Sequence, residues 1–318
     1  MQVVRDVGLI RDQSNVVAIG SFDGVHRGHQ ALIRMAVEKA RTARGRVIVL
    51  TFDPHPLEVI NPARAPLLLT TSEEKRAAIE ALGAEYLLVL PFTREMAQKD
   101  CQSFAREILR DGIGARRVLV GFNFSFGYRG VGTPQTLGFL GRSLGFEVDV
   151  LPPVVIGGET VSSTLIREML STGKVGRAAE LLGRSYAVTG LVISGHGRGR
   201  GLGLPTANLV WPAGKVVPAR GVYVVRVEYE GFSYLGVANL GRQPTFGPDG
   251  PEDTLEVHLL DFSGDLYGRE LTVQFVEWLR EEQRFPGVKA LLEQVGKDIL
   301  RARTVLSRER RGGFPFTT

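Results

Sequence analysis

At 318 residues, 43% hydrophobic and 23% charged, the chain has the composition of a globular protein and the length for two domains, each able to bury a core. The single cysteine, Cys101, excludes an intrachain disulfide and a cysteine-rich metal site; the early charges Arg5, Asp6, Arg11 and Asp12 and the lack of a long apolar run imply a cytoplasmic protein with no membrane partner. The net charge of +5 suits anions, but the basic residues are scattered and the densest run, 301–311, reads as a solvated helix end; nucleotide phosphates rather than nucleic acid are expected.

The first apolar run, Val16-Val17-Ala18-Ile19, ends at a glycine, and a helix is expected over 29–44. Residues 47–52 read as a buried strand, 73–82 as a helix, 86–90 as a strand, 103–110 as a helix, 118–120 as a strand ending at Gly121, and 146–151 as another strand. This alternation predicts an α/β unit, a doubly wound and mostly parallel sheet with helices on both faces, whose ligands bind at the carboxyl ends of the strands.

Near Gly183 the pattern changes to short strands broken by glycine and proline, over 187–194, 221–229, 233–238, 255–261 and 271–275, with Glu230-Gly231 as a hairpin turn. Five or six antiparallel strands in this length predict a small β-barrel. An amphipathic helix over 288–306, with Leu291, Leu292, Val295, Ile299 and Leu300 on one face, closes it. The expected domains are 1–183 and 184–318.

Chemistry concentrates first in Gly20-Ser21-Phe22-Asp23-Gly24-Val25-His26-Arg27-Gly28-His29, at a strand-to-helix junction. Glycines there let backbone approach a phosphate, the helix N-terminus offers unpaired N–H groups, and His26 and His29 can donate to oxygens of a triphosphate. Two of the five histidines among three glycines make plain surface histidines the lesser reading, and zinc lacks a third ligand. Three more runs fall at strand ends or a helix start: Thr51-Phe52-Asp53-Pro54-His55-Pro56, Gly121-Phe122-Asn123-Phe124-Ser125-Phe126-Gly127 and Val161-Ser162-Ser163-Thr164-Leu165-Ile166-Arg167.

The second concentration, Gly195-His196-Gly197-Arg198-Gly199-Arg200-Gly201-Leu202-Gly203-Leu204-Pro205-Thr206-Ala207-Asn208, fits neither a P-loop nor a dinucleotide fingerprint. It is an arginine-bearing glycine flap followed by Thr206 and Asn208, neutral oxygens suited to a phosphate-bound Mg²⁺. In Leu255-Glu256-Val257-His258-Leu259-Leu260-Asp261, Glu256 and His258 share one face of a strand; alone, that would read as a solvated face.

In this order the motifs resemble the prokaryotic bifunctional riboflavin kinase/FMN adenylyltransferases: an HxGH nucleotidyltransferase module over roughly 15–183, Rossmann-like, and a riboflavin kinase barrel over 186 to about 300. Gly221-Val222-Tyr223, Gly241-Arg242-Gln243-Pro244-Thr245-Phe246-Gly247 and Leu266-Tyr267-Gly268 extend the second match. The resemblance implies phosphorylation of riboflavin to FMN and adenylylation of FMN to FAD, each with ATP and Mg²⁺. It implies that Gly20, Phe22, Asp23 and Gly28 shape the nucleotide loop, and that His26, His29, Ser163, Thr164 and Arg167 hold ATP phosphates. Asn123 would contact a phosphate, with Phe124 and Phe126 walling the flavin. In the second half it implies Glu256 as general base, Thr206 and Asn208 for Mg²⁺, and Arg200, Gly203 and Pro205 in the phosphate flap. Asn123 stands where many members carry Asp, Leu204 where Phe is commoner, and the flap is a residue or two shorter. The alternatives are one active half, another nucleotidyl acceptor such as nicotinamide mononucleotide, or a flavin-binding regulator without turnover.

Overall fold

The computed structural model describes residues 1–10, 12, 14–194, 204–242 and 253–312, the last seven by backbone alone. The chain forms two compact units, Met1–Ser163 and Thr164–Thr318.

Six strands make the first unit's sheet: β1 (Gln2–Val4), β2 (Asn15–Ile19), β3 (Val47–Asp53), β4 (Tyr86–Pro91), β5 (Ala115–Gly121) and β6 (Glu147–Leu151). Their spatial order is β1-β4-β3-β2-β5-β6, and every neighbouring pair is parallel. β2 is buried throughout and β3 through Thr51, so the runs 16–19 and 47–50 are continuously apolar rather than alternating. Val16 and Ala18 face a core built with Leu32, Ile33 and Ala36 of helix α1 (Arg27–Ala43); Val17 and Ile19 face the opposite core with Phe104, Leu109 and Leu137. The shorter helices are α2 (Pro56–Ile60), α3 (Ser72–Glu80), α4 (Arg94–Gln98), α5 (Cys101–Ser103) and α6 (Pro134–Leu144), and a two-stranded hairpin pairs β7 (Val155–Ile156) with β8 (Glu159–Thr160).

The order places a switch point at β2. From it the chain runs outward through β3 and β4 on one side, then returns to β5 on the other. The loops leaving the carboxyl ends of β2 and β5 therefore emerge side by side, where doubly wound sheets hold ligands.

Three details depart from expectation. Helix α1 starts two residues early because His26 caps it, its Nδ1 accepting the His29 N–H at 3.3 Å. The expected helix over 103–110 is a π-helix, Phe104–Ile113, closed by Gly114 N–H on the Leu109 carbonyl; ten residues of apolar pattern do not resolve that wider winding. Helix α6 went unforeseen because its glycines count against a helix. Gly141 is needed there, since a Cβ would come within 2.7 Å of the Phe146 carbonyl oxygen.

In the second unit, α7 (Ser163–Ser171, whose first residue ends the first unit) and α8 (Val175–Leu182) precede β9 (Tyr186–Ile193), β10 (Ala207–Val210), β11 (Gly221–Tyr229), β12 (Phe232–Gly241), β13 (Thr254–Leu259) and β14 (Glu270–Arg280). The six strands close in the order β10-β13-β12-β11-β14-β9, all pairs antiparallel. Glu230 and Gly231 both take positive φ (48° and 80°), the twist a two-residue hairpin requires. β10 is the strand that composition hid, directly after Pro205-Thr206. The closing helix, Val288–Gly312, lays Ile299, Ala302 and Val305 on Val222, Val224 and Val237, on the outside of β11 and β12. Leu292 and Leu300, both expected on that face, are exposed, Leu300 at 68%. The buried stripe instead runs through Asp298, Ala302 and Val305, and Arg280 grips the Asp298 carboxylate with Nε and Nη2. Among the described residues, no helix is long and apolar enough to cross a membrane.

Helix α8 packs against β9 and β14, and the Ala219 N–H donates to the Leu170 carbonyl at 2.8 Å. A cut after Gly183 therefore strips packed helices from the barrel's compact unit. In thermal unfolding, a 164–318 fragment should melt higher than a 184–318 fragment; equal midpoints would mean that α7 and α8 add nothing to the barrel's stability.

Two candidate functional sites

The first site is built on the β2–α1 loop. Phe22 (φ 50°) and Val25 (φ 41°) both sit in the left-handed region, which is costly for a bulky or β-branched residue, by about 1–3 kcal/mol each. Both side chains are buried, and that packing holds the strained turn. The Phe22 ring meets the His29 ring edge-on at 5.2 Å, and the His26 and His29 rings stack at 3.6 Å. Gly28 permits this stack: a Cβ there would sit 3.1 Å from His26 Cε1.

Protonation follows from these contacts. His26 Nδ1 accepts a hydrogen bond, so the neutral ring carries its proton on Nε2. Burial first, then electrostatic interaction with His26 and Lys75, holds His29 well below the ordinary histidine value, so it is a neutral imidazole at pH 7. Its Nδ1 is buried without a hydrogen-bond partner, which costs about 1–3 kcal/mol until a ligand meets it.

Asp23 is buried, and its Oδ1 accepts from the Leu69 and Thr70 N–H groups at 2.8 and 3.2 Å. This carboxylate ties the loop to the chain preceding α3. Ser163 donates its hydroxyl to the Asp23 carbonyl at 2.9 Å, which brings Ser163 to the same loop. Thr164 and Arg167 follow on α7.

Lys75, on α3, escaped the sequence reading. Its ammonium donates to the Ser21 carbonyl at 3.0 Å, and Thr51 Oγ1 donates to the same oxygen at 3.1 Å. Burial lowers its pKa, against the opposing pull of Asp23, Asp53 and Glu58. A lysine in the first turn of a capped helix looks like ordinary surface charge; only its tertiary position marks it.

The β5 loop brings Asn123 to the surface, with Phe122 exposed beside it and Phe124 half-buried. Phe126 belongs to the core: it is 7% exposed, stacked on Phe124 at 5.6 Å and packed against Phe104. Its ring supports Phe124 from behind.

The second site lies on the outer face of the barrel. Asn208 on β10 stands opposite Glu256 on β13, and the flanking Ala207, Leu209, Leu255 and Val257 are buried inside. Paired residues on adjacent antiparallel strands share a face, with Cβ atoms about 5 Å apart. His258, also on this face, holds the Pro205 carbonyl at 2.8 Å; that oxygen only accepts, so His258 Nδ1 carries the proton. The strand thereby orients the segment carrying Thr206. Arg200, Gly203 and residues 243–247 lie outside the described residues.

Comparison with known proteins agrees with this division. The FAD synthetase family model matches residues 10–165 and the riboflavin kinase model residues 182–306. The chain is 40% identical to a bifunctional riboflavin kinase/FMN adenylyltransferase of Pseudomonas fluorescens, covering 96% of this chain and 98% of that one. The chain belongs to the bifunctional riboflavin kinase/FMN adenylyltransferase family. Members from Escherichia coli K12 and Bacillus subtilis are 38% and 37% identical, each covering 91% of this chain and 91% and 92% of their own. A solved Streptococcus pneumoniae structure described as a macrolide-efflux protein has a TM-score of 0.85 at 32% identity, covering 95% of this chain and 98% of its own.

Within this bifunctional family, the run 20–29 lies at the β2–α1 loop and the run 121–127 at the β5 loop, while Asn208 and Glu256 lie on the β10–β13 face. The two constellations share no residue.

Proposed function

We propose that the two halves carry the family's two steps separately: the barrel transfers the γ-phosphoryl group of ATP to riboflavin, and the parallel-sheet unit transfers the adenylyl group of a second ATP to the FMN formed, releasing pyrophosphate. The chain is a transferase with both activities; the assignment of residues to steps is our reading. The observation that carries it is the stacked His26–His29 pair, with the orphaned Nδ1 of His29, at the switch point of a parallel sheet.

In adenylyl transfer the FMN phosphate is already ionised and needs no base. The site must stabilise charge on the phosphorus under attack and on the departing pyrophosphate, which preorganised donors do. His26 and His29 are such donors; Ser163, Thr164 and Arg167 would hold further phosphate oxygens, and Asn123 with Phe124 the FMN. Asp23 and Phe22 act one step back, fixing the loop and the His29 ring.

In the kinase step Glu256 would take the proton of the riboflavin 5′-hydroxyl as it attacks the γ-phosphorus. The hydroxyl and carbonyl oxygens of Thr206 and Asn208 are hard, neutral donors that fit Mg²⁺ held mainly through ATP phosphates. Bound there, Mg²⁺ would neutralise phosphate charge during transfer. The enzyme would work in the cytoplasm on free nucleotides, without a nucleic-acid partner.

Incubation with riboflavin, MgCl₂ and ATP labelled at either the α or the γ phosphorus tests the scheme. The γ label should enter FMN first, and the α label should appear only in FAD. Tight flavin binding without labelled product would support the regulator instead.

A further inference from the structure

We propose that Asn239 and Glu282 read the secondary hydroxyls of the flavin's ribityl chain, on the side of Glu256 away from Asn208. The inference rests on the assignment of Glu256 to the kinase step. It comes from the order of three strands. β10, β13 and β12 are neighbours, and Asn208, Glu256 and Asn239 stand opposite one another in their register. All three lie on the outer face, because Ala238 and Leu240, like the residues flanking Asn208 and Glu256, are buried within the barrel. The closing helix covers Val237 but leaves Asn239 half-buried.

A single row thus runs across the sheet: the neutral oxygen donor on the phosphate side, the base in the middle, an amide on the far side. Adjacent strands are spaced by about 4.8 Å, so the far position lies about three to four bonds along an acceptor chain whose terminal hydroxyl meets Glu256. In riboflavin the carbons there carry hydroxyls.

Glu282, just past the end of β14, reaches the same place. Its Oε1 accepts from Asn239 Nδ2 at 3.1 Å, and its carboxylate rests on Gly241 so closely that a Cβ there would come within 2.6 Å of Glu282 Cδ. Among the described residues, no Lys or Arg forms an ion pair with it. An amide and a carboxylate fixed side by side, with acceptor capacity beyond their mutual bond, suit hydroxyl donors, and hydrogen bonds to an ionised acceptor are the stronger kind. A site built to bond a hydroxyl discriminates sharply against an analogue lacking it.

The test compares riboflavin with a flavin bearing a 5-hydroxypentyl chain, which keeps the terminal hydroxyl and lacks the others. In the full-length parent, kcat/KM for phosphorylation should favour riboflavin by roughly 10²-fold or more. Asn239→Ala and Glu282→Gln should each lower kcat/KM for riboflavin by about 10- to 100-fold, chiefly through KM, while leaving the hydroxypentyl flavin and the KM for ATP unchanged. Equal losses on both acceptors, or no loss, would overturn the proposal. Glu256→Gln in the same assay separates the two levels. If it phosphorylates both acceptors at the parent rate, the kinase assignment itself falls; if it is inactive while the other variants keep the parent's preference, only the ribityl inference falls.

Discussion

Replacing His29 by alanine lowers the conversion of added FMN to FAD by roughly 10²- to 10³-fold, while riboflavin is still phosphorylated at close to the parent rate. The size follows from the loss of one preorganised donor to developing phosphate charge, about 3 kcal/mol. The selectivity follows from the separation of the sites: His29 sits at the β2–α1 junction of the first unit, whereas Asn208 and Glu256 belong to the barrel of the second. The His29 ring also stacks on His26 and meets Phe22, so alanine opens a gap in the loop as well. His29→Asn, which restores a polar donor of smaller size, should recover part of the rate if donation matters, and none if only ring packing does. Rates of FMN and FAD formation by each variant, separated chromatographically, provide the check. Equal loss of both activities in a folded variant would remove His29 from the adenylyl step.

Glu256→Gln gives the converse result: riboflavin phosphorylation falls by about 10²- to 10⁴-fold, and added FMN is still adenylylated. The amide keeps the shape of the carboxylate and its place opposite Asn208 and Asn239, but it cannot accept the hydroxyl proton. The loss should appear in kcat rather than in the KM for ATP, because Thr206 and Asn208 remain. FMN accumulating at the parent rate would show that another group takes the proton.

Much of this enzyme is legible in contiguous residues. The β2–α1 loop, the Ser163-Thr164 run and the Pro205-Thr206-Ala207-Asn208 segment, which we propose hold phosphates, are contiguous, so the chemistry proposed for them is written in adjacent positions. The hairpin at Glu230-Gly231 was legible for the same reason, since two positive φ values belong to two neighbouring residues. The strands that carry the first site were legible because both faces of a parallel sheet are buried, which leaves an unbroken apolar run.

What adjacency could not disclose depends on register and burial. Sequence placed Asp23 among nucleotide-binding residues, but the fold engages its carboxylate with Leu69 and Thr70, forty-six and forty-seven positions away. Phe126 reads like Phe124, yet the turn after β5 sends one ring into the core and leaves the other half-buried. Leu300 fits an apolar stripe on paper, and the helix rolls it outward because Asp298 is drawn in by Arg280.

The sequence alone therefore determined the family and its two modules, because those features reside in short runs whose backbone conformation is locally encoded. The tertiary structure alone decided that Lys75 reaches Ser21, that Asn208, Glu256 and Asn239 form one row, and that Glu282 closes it. These depend on which strands become neighbours and in what register. That is settled by burying a whole barrel's apolar faces at once, a cooperative property that no short segment carries.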